Sequence, residues 1–308
     1  MIEIQNLTKK IGSNTILNNL SISVRKGEIL GFLGPNGAGK TTTMKIITSF
    51  WKPSEGRVLV DGIEVAENSM ATRAKIGYLP ETVPLYEDMK VKEYLKFAAE
   101  IRRIPKEKMK EKIKSAVEKC GLKEVYDRPI DELSKGFRQR IGLAQAIIHE
   151  PEILILDEPT TGLDPNQIAE IRDLIKKLGQ EKTVIFSTHI LQEVAAVCDR
   201  VIIINKGKIA GAGTPDELMK KGGQELIYVK IKGPREAILE KIKALENVAR
   251  VSVRDKESDD IYGYEIEPRA EVDLREQLSL AVMSNNWSIL EFNKKSASLE
   301  EVFRELTK

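Results

Sequence analysis

The 308-residue chain has two cysteines, two histidines and few aromatic residues. Cys120 and Cys198 show no metal-ligand spacing and make no disulfide framework, so both read as ordinary reduced thiols. An excess of charge of one sign is also absent: 49 Lys and Arg stand against 47 Asp and Glu, a net charge of +2. With no long basic run and no interleaved aromatic stripe, the pattern excludes an extended nucleic-acid surface. No stretch approaches the roughly 18 consecutive apolar residues that a membrane helix needs. The start, Met1-Ile2-Glu3-Ile4, does not have the pattern of a signal peptide. The expectation is a cytoplasmic chain without a membrane span of its own, long enough for two domains.

Against these absences stands one dense motif, Gly34-Pro35-Asn36-Gly37-Ala38-Gly39-Lys40-Thr41, followed by Thr42. It follows the short apolar run Glu28–Leu33, a predicted buried strand, and precedes a predicted helix over Thr41–Ile47. Strand, glycine loop and helix are the context a phosphate-binding loop requires. Gly34, Gly37 and Gly39 let the backbone curl and turn its N–H groups inward, and the helix start adds to this anion site. Lys40 is expected to reach the β- and γ-phosphates of a nucleotide, and the Thr41 hydroxyl to ligate Mg²⁺.

A second apolar run, Ile153-Leu154-Ile155-Leu156, ends in Asp157-Glu158. Its continuity suits a strand buried on both faces of a parallel sheet, and ligands of such sheets bind beyond the carboxyl ends of the strands. Asp157 is then expected near the metal and Glu158 as the base that orients and deprotonates a water. His189 ends a third run, Thr183–Thr188, and is expected at the γ-phosphate. His149, before Pro151 in a polar turn, reads as surface.

Over roughly its first 220 residues the chain resembles the nucleotide-binding subunits of ABC transporters. The resemblance rests on the phosphate loop, on Leu133-Ser134-Lys135-Gly136-Phe137, on Ile153–Glu158, on Thr161-Gly162-Leu163-Asp164 and on His189, in the family's order. It implies an α/β fold: a P-loop NTPase of ABC type, with a mixed sheet core and a helical subdomain at about 84–150. It also implies a head-to-tail homodimer that buries two ATP molecules with Mg²⁺. In it Ser134 and Gly136 touch the γ-phosphate held by the partner protomer, and Asp164 makes a contact that couples the two sites. Asp164-Pro165 reads equally as a helix N-cap, with Gly179 closing that helix. Separate transmembrane permease subunits are implied, with this chain peripheral on the inner face of the membrane.

The chain departs from the family pattern at several places. The family's signature reads Leu-Ser-Gly-Gly-Gln, so Lys135 and Phe137 differ. Ile11 stands where the family stacks an aromatic ring on adenine; methyl groups cover a base without a π-face, so weak discrimination between ATP and GTP is expected. Glu81 stands where the family has Gln, and a carboxylate there can still ligate Mg²⁺. The string Tyr78-Leu79-Pro80-Glu81, with the Lys135 signature, resembles exporter ATPases of drug-resistance, sodium-export, gliding-motility and polysaccharide type. An iron–sulfur-assembly ATPase and an importer subunit fit the same motifs, so these alternatives stay open.

A capping box at Thr214–Glu217 starts a helix expected to stop at Gly222-Gly223, taken as the boundary of an ATP-binding domain over 1–222. Over 225–308 the order is β-α-β-β-α-β and then a helix: Leu226–Lys232, Pro234–Leu245, Val248–Arg254, Ile261–Glu267, Val272–Ser284, Trp287–Phe292 and Ser298–Leu306. That order predicts a small α+β ferredoxin-like accessory domain. It holds no catalytic cluster.

Overall fold

Alternating apolar residues near the N-terminus fold as a hairpin of β1 (Ile2–Ile11) and β2 (Asn14–Val24), with Ile2, Ile4, Leu7, Leu20 and Val24 turned inward. The next elements are β3 (Ile29–Leu33), α1 (Lys40–Ile47), β4 (Glu55–Val60), β5 (Ile63–Glu64), α2 (Ser69–Lys75) and β6 (Ile76–Leu79). Three helices follow: α3 (Val91–Ile101), α4 (Lys106–Lys119) and α5 (Lys135–Ile147). Then come β7 (Ile153–Asp157), α6 (Pro165–Gly179), β8 (Thr183–Thr188), α7 (Leu191–Val197), β9 (Arg200–Asn205) and β10 (Lys208–Gly213). The computed structural model describes residues 1–221, 226–269, 273–295 and 299–307. It divides into two compact units, Met1–Pro215 and Asp216–Leu306.

The first unit holds two sheets. One is antiparallel, in the order β2-β1-β4-β5; the other has six strands in the order β10-β9-β3-β8-β7-β6. Strands β9, β3, β8, β7 and β6 are parallel, and each of β3, β7 and β8 is buried along its whole length. Continuous apolar runs follow from that burial, because both faces are covered. Helix α1 lies in a core shared with both sheets: Met44, Ile46 and Ile47 pack with Ile2, Leu7 and Val58 on one side and Phe32, Ile155 and Ile185 on the other. This fixes the loop between β3 and α1 at the carboxyl edge of the parallel strands.

Gly179 ends α6 as expected; it is the last helical residue, and Gln180 after it has φ −65° rather than a left-handed conformation. Glycine is required there for space, since a Cβ would lie 2.3 Å from Ile29 Cδ1. One sequence expectation is corrected: His149 is not a surface residue. It is half-buried, and its Nε2 lies 3.1 Å from the carbonyl oxygen of Ile76 at the start of β6. Burial, with the nearby charges of Arg102 and Lys182, pulls its pKa down to about 4.

The second unit begins within α8 (Pro215–Lys221) and continues with β11 (Leu226–Lys232), α9 (Arg235–Lys243), β12 (Val248–Ser258), β13 (Ile261–Pro268), α10 (Arg275–Met283), β14 (Ser288–Lys295) and α11 (Leu299–Leu306). The sheet order is β12-β13-β11-β14, all antiparallel, which is the split βαβ arrangement of a ferredoxin-like fold. Ile227, Val229 and Ile231 alternate into a core with Ile238, Ile242, Leu278 and Val282 from the helices. Strand β12 runs further than its apolar residues do. The gap left between the expected strands Val248–Arg254 and Ile261–Glu267 narrows to Asp259-Asp260, because Lys256 and Ser258 still pair with Tyr262 and Ile261 across irregular register. The expected boundary at Gly222-Gly223 lies outside the described residues.

Candidate functional site

Three parallel strands, β3, β7 and β8, end side by side, and the side chains just beyond them converge. Gly39, with φ +109°, precedes the first turn of α1; a side chain there would strike Leu17, so both conformation and space demand glycine. Lys40 then turns back over the loop, and its Nζ donates to the Gly34 carbonyl at 2.7 Å. The same ammonium pairs with Glu158 Oε1 at 3.1 Å, both side chains being almost wholly buried.

Glu158 lies just past β7 in a left-handed conformation, φ +48°. A non-glycine residue reaches that region at a cost of order 1–3 kcal/mol, and such strain clusters at functional sites. Ser187 of β8 holds it there: the Glu158 N–H donates to the Ser187 carbonyl at 3.1 Å and to its hydroxyl at 3.0 Å. The outer carboxylate oxygen, Oε2, lies 2.9 Å from His189 Nδ1 and accepts from the Thr161 hydroxyl at 3.2 Å. One carboxylate thus links the loop lysine to the half-exposed histidine.

Asp157, the last residue of β7, is fully buried. Its Oδ1 accepts from the Thr41 hydroxyl at 3.1 Å and from Ser187 Oγ at 2.5 Å, while Oδ2 is buried without a partner. Burial raises its pKa, with smaller contributions from the charges of Glu81 and Glu158. A desolvated carboxylate with a free oxygen beside a threonine hydroxyl suits a small hard cation. Among the described residues no group of three His, Cys, Asp or Glu side chains assembles a complete metal cage. That fits Mg²⁺, which takes one or two carboxylates and completes its shell with substrate phosphates and water.

The cleft over these groups has a volume of about 430 Å³ and is lined by Ile16, Asn36, Gly37, Ala38, Gly39, Lys40, Thr41, Thr42, Glu81 and Glu158. Gly34 closes the loop from beneath, against the Ile204 carbonyl. Ile11 is not part of the lining. It stands half-exposed at the end of β1, and Ile16 across the hairpin supplies the apolar contact to the cleft.

Ser134 and Gly136 lie elsewhere, at the start of α5, and neither lines the cleft. Ser134 is the N-cap of α5 and accepts from the Phe137 N–H; Gly136 packs against the Gln167 side chain, and Lys135 reaches toward Gly162. Asp164 caps α6, accepting from the Gln167 N–H at 3.0 Å. The signature helix and the Asp164 segment are therefore neighbours on one surface. Sequence reasoning gave no role of their own to Ser187, Thr161 and Ile16. The first left a trace, since Ser187-Thr188 are polar residues at the end of an otherwise apolar buried strand.

Comparison with known proteins decides the family. A model described as ABC transporter matches residues 17–161. The ABC transporter ATP-binding protein YhcH of Bacillus subtilis is 43% identical over 212 residues, 68% of each chain. The linearmycin resistance ATP-binding protein LnrL of Bacillus subtilis is 34% identical over 259 residues, 83% of each chain. This chain belongs to the ABC transporter ATP-binding proteins. As a member of that family it is an ATPase. Among solved structures it is similar to the ATP-binding cassette MJ0796, captured as a dimer in a post-hydrolysis state with ADP and Pi bound. The TM-score is 0.64 at 26% identity, covering 70% of this chain and 98% of that one. ATP and ADP are thus the ligands of an ABC cleft, and this one offers the phosphate loop they require. No helix among the described residues is long and apolar enough to cross a membrane.

Proposed function

We propose that this protein is the ATP-hydrolysing subunit of a membrane exporter, acting as a head-to-tail pair on separate transmembrane subunits from the inner face of the membrane. The observation that carries the reading is a division of labour within the chain. Its own cleft gathers Lys40, Thr41 and Glu158, while the start of α5, where Ser134 is exposed and Gly136 is buried against Gln167, stands outside that cleft. A second copy turned about a two-fold axis uses both halves. The dimeric state of the similar MJ0796 cassette and the resistance function in the name of LnrL support it.

In this reading the loop from Gly34 to Thr42 and the start of α1 hold the phosphates, and Lys40 exchanges Glu158 for the β- and γ-oxygens. Thr41, Asp157 and Glu81 hold Mg²⁺, which neutralises phosphate charge. Glu158, released from Lys40, accepts the proton of the attacking water while His189 keeps the carboxylate aimed and meets the γ-phosphate. Ile16 covers the base, and Asp164 couples the two sites. The decisive experiment is Ser134→Arg. Turnover should vanish while each monomer still binds ATP, and Ser134→Ala should keep most of the activity. Hydrolysis by the arginine variant, at a rate independent of protein concentration, would refute the composite site.

A further inference from the structure

Tyr78 on β6 pairs in parallel register with Ile155 of β7, and Asp157 is two residues further along β7. Register partners in a parallel pair, and residues two apart on a strand, share a sheet face. Tyr78, Ile155 and Asp157 therefore stand on the face that α1 covers. The Tyr78 ring packs in the core that contains Ile155 and the α1 residues Met44, Ile46 and Ile47, and Thr41 at the start of α1 bonds Asp157. Beyond the ring the hydroxyl is buried without a hydrogen-bond partner, as is Asp157 Oδ2. The charges that act on that hydroxyl are those of Asp157 and Glu81. A phenol is a donor at neutral pH, and both carboxylates are acceptors. Buried polar groups left without partners are costly. Here a donor and an acceptor on one sheet face, beneath α1, both lack one, and each lies on a well-packed strand.

We propose that Tyr78 is a positioning residue for the divalent cation: its hydroxyl donates into the water shell of the ion that Asp157 holds, and so sets how much that ion strengthens ATP binding. The inference rests on the reading of Thr41, Asp157 and Glu81 as the cation end of the site. Phenylalanine in its place would pack identically and lack only the donor.

The test compares ATP affinity of the full chain in Mg²⁺ with that in EDTA, using a fluorescent ATP analogue, for wild type and Tyr78→Phe. The gain from Mg²⁺ should fall by about tenfold in the variant, the size seen when a residue behind a metal ligand is lost. Affinity in EDTA and the thermal midpoint should not fall. Asp157→Asn should reduce the same gain, and the double variant should lose little more than either single one, since both act on one ion. An unchanged Mg²⁺ gain in Tyr78→Phe, or fully additive losses in the double variant, would overturn the role of Tyr78 alone. A wild type whose affinity ignores Mg²⁺ would overturn the cation-end assignment itself.

Discussion

The two units spend their buried volume differently. The second buries apolar residues: its core is Ile, Val and Leu around Tyr264, and among the described residues no charged side chain of that unit is buried. Its charges pair on the surface, as in Arg254–Glu265 and Lys256–Asp259. The first unit buries Lys40, Asp157, Glu158, Glu193 and Glu28, leaves Asp157 Oδ2 and Glu193 Oε1 without partners, and holds Glu158 in a strained backbone conformation. Buried charge is costly unless it is paired and hydrogen-bonded. A fold selected for stability alone has little reason to carry so much of it. Among the described residues three of these five, Lys40, Asp157 and Glu158, gather at the phosphate loop, while Glu28 pairs with Arg200 at the amino end of β3; the second unit buries no charge.

The contrast breaks first at the site. Glu158→Gln keeps the shape and a hydrogen-bonding group but removes the proposed base, and should slow steady-state phosphate release at least about a hundredfold while ATP binding survives. Near wild-type turnover would show that the buried charge there serves folding instead. In the second unit the matching probe is packing: Ile266→Val should lower its stability by about 0.5–1.5 kcal/mol in urea denaturation. A smaller loss would mean a looser core than the burial of Ile266 indicates.

Acid sharpens the comparison, because both histidines lie in the first unit. Burial lowers the pKa of His149 to about 4 from an ordinary value of 6.5. Between those values the unfolded chain binds a proton that the folded chain refuses, so this contribution to stability is complete above pH 6.5, falls as the pH drops toward 4, and levels off below. Denaturation midpoints should therefore decline over that window in wild type and decline less in His149→Gln. The smallest effect is expected at the Arg254–Glu265 pair, where the arginine is exposed and the glutamate partly buried. Arg254→Ala should cost less than about 1 kcal/mol, and less still at high salt.

Much of the site was legible beforehand because its chemistry is local. Gly34 to Thr41 form one turn, Asp157 and Glu158 are consecutive, and each motif carries its own strand–loop–helix punctuation. In the second unit the alternation of Leu226–Lys232 and the capped helices were equally local, and their β-α-β-β-α-β order already implied the observed sheet. Legibility failed where a role depends on a residue far away in the chain. The reason for Gly179 is Ile29, His149 is tied to the Ile76 carbonyl and feels the charge of Arg102, and the hold on Glu158 comes from Ser187 and Thr161.

From its residues alone the chain announces a phosphate loop, an acidic strand end, a signature helix and a second α+β unit, because periodicity and turn chemistry act over a few neighbours. Only the tertiary structure decided that Lys40 and His189 share one carboxylate, that Ser134 lies outside the cleft, and that Tyr78 and Asp157 each keep an unpartnered oxygen on the face that α1 covers. Those relations arise from parallel strands and one packed helix bringing distant segments to a common edge, and spacing along the chain carries no record of that geometry.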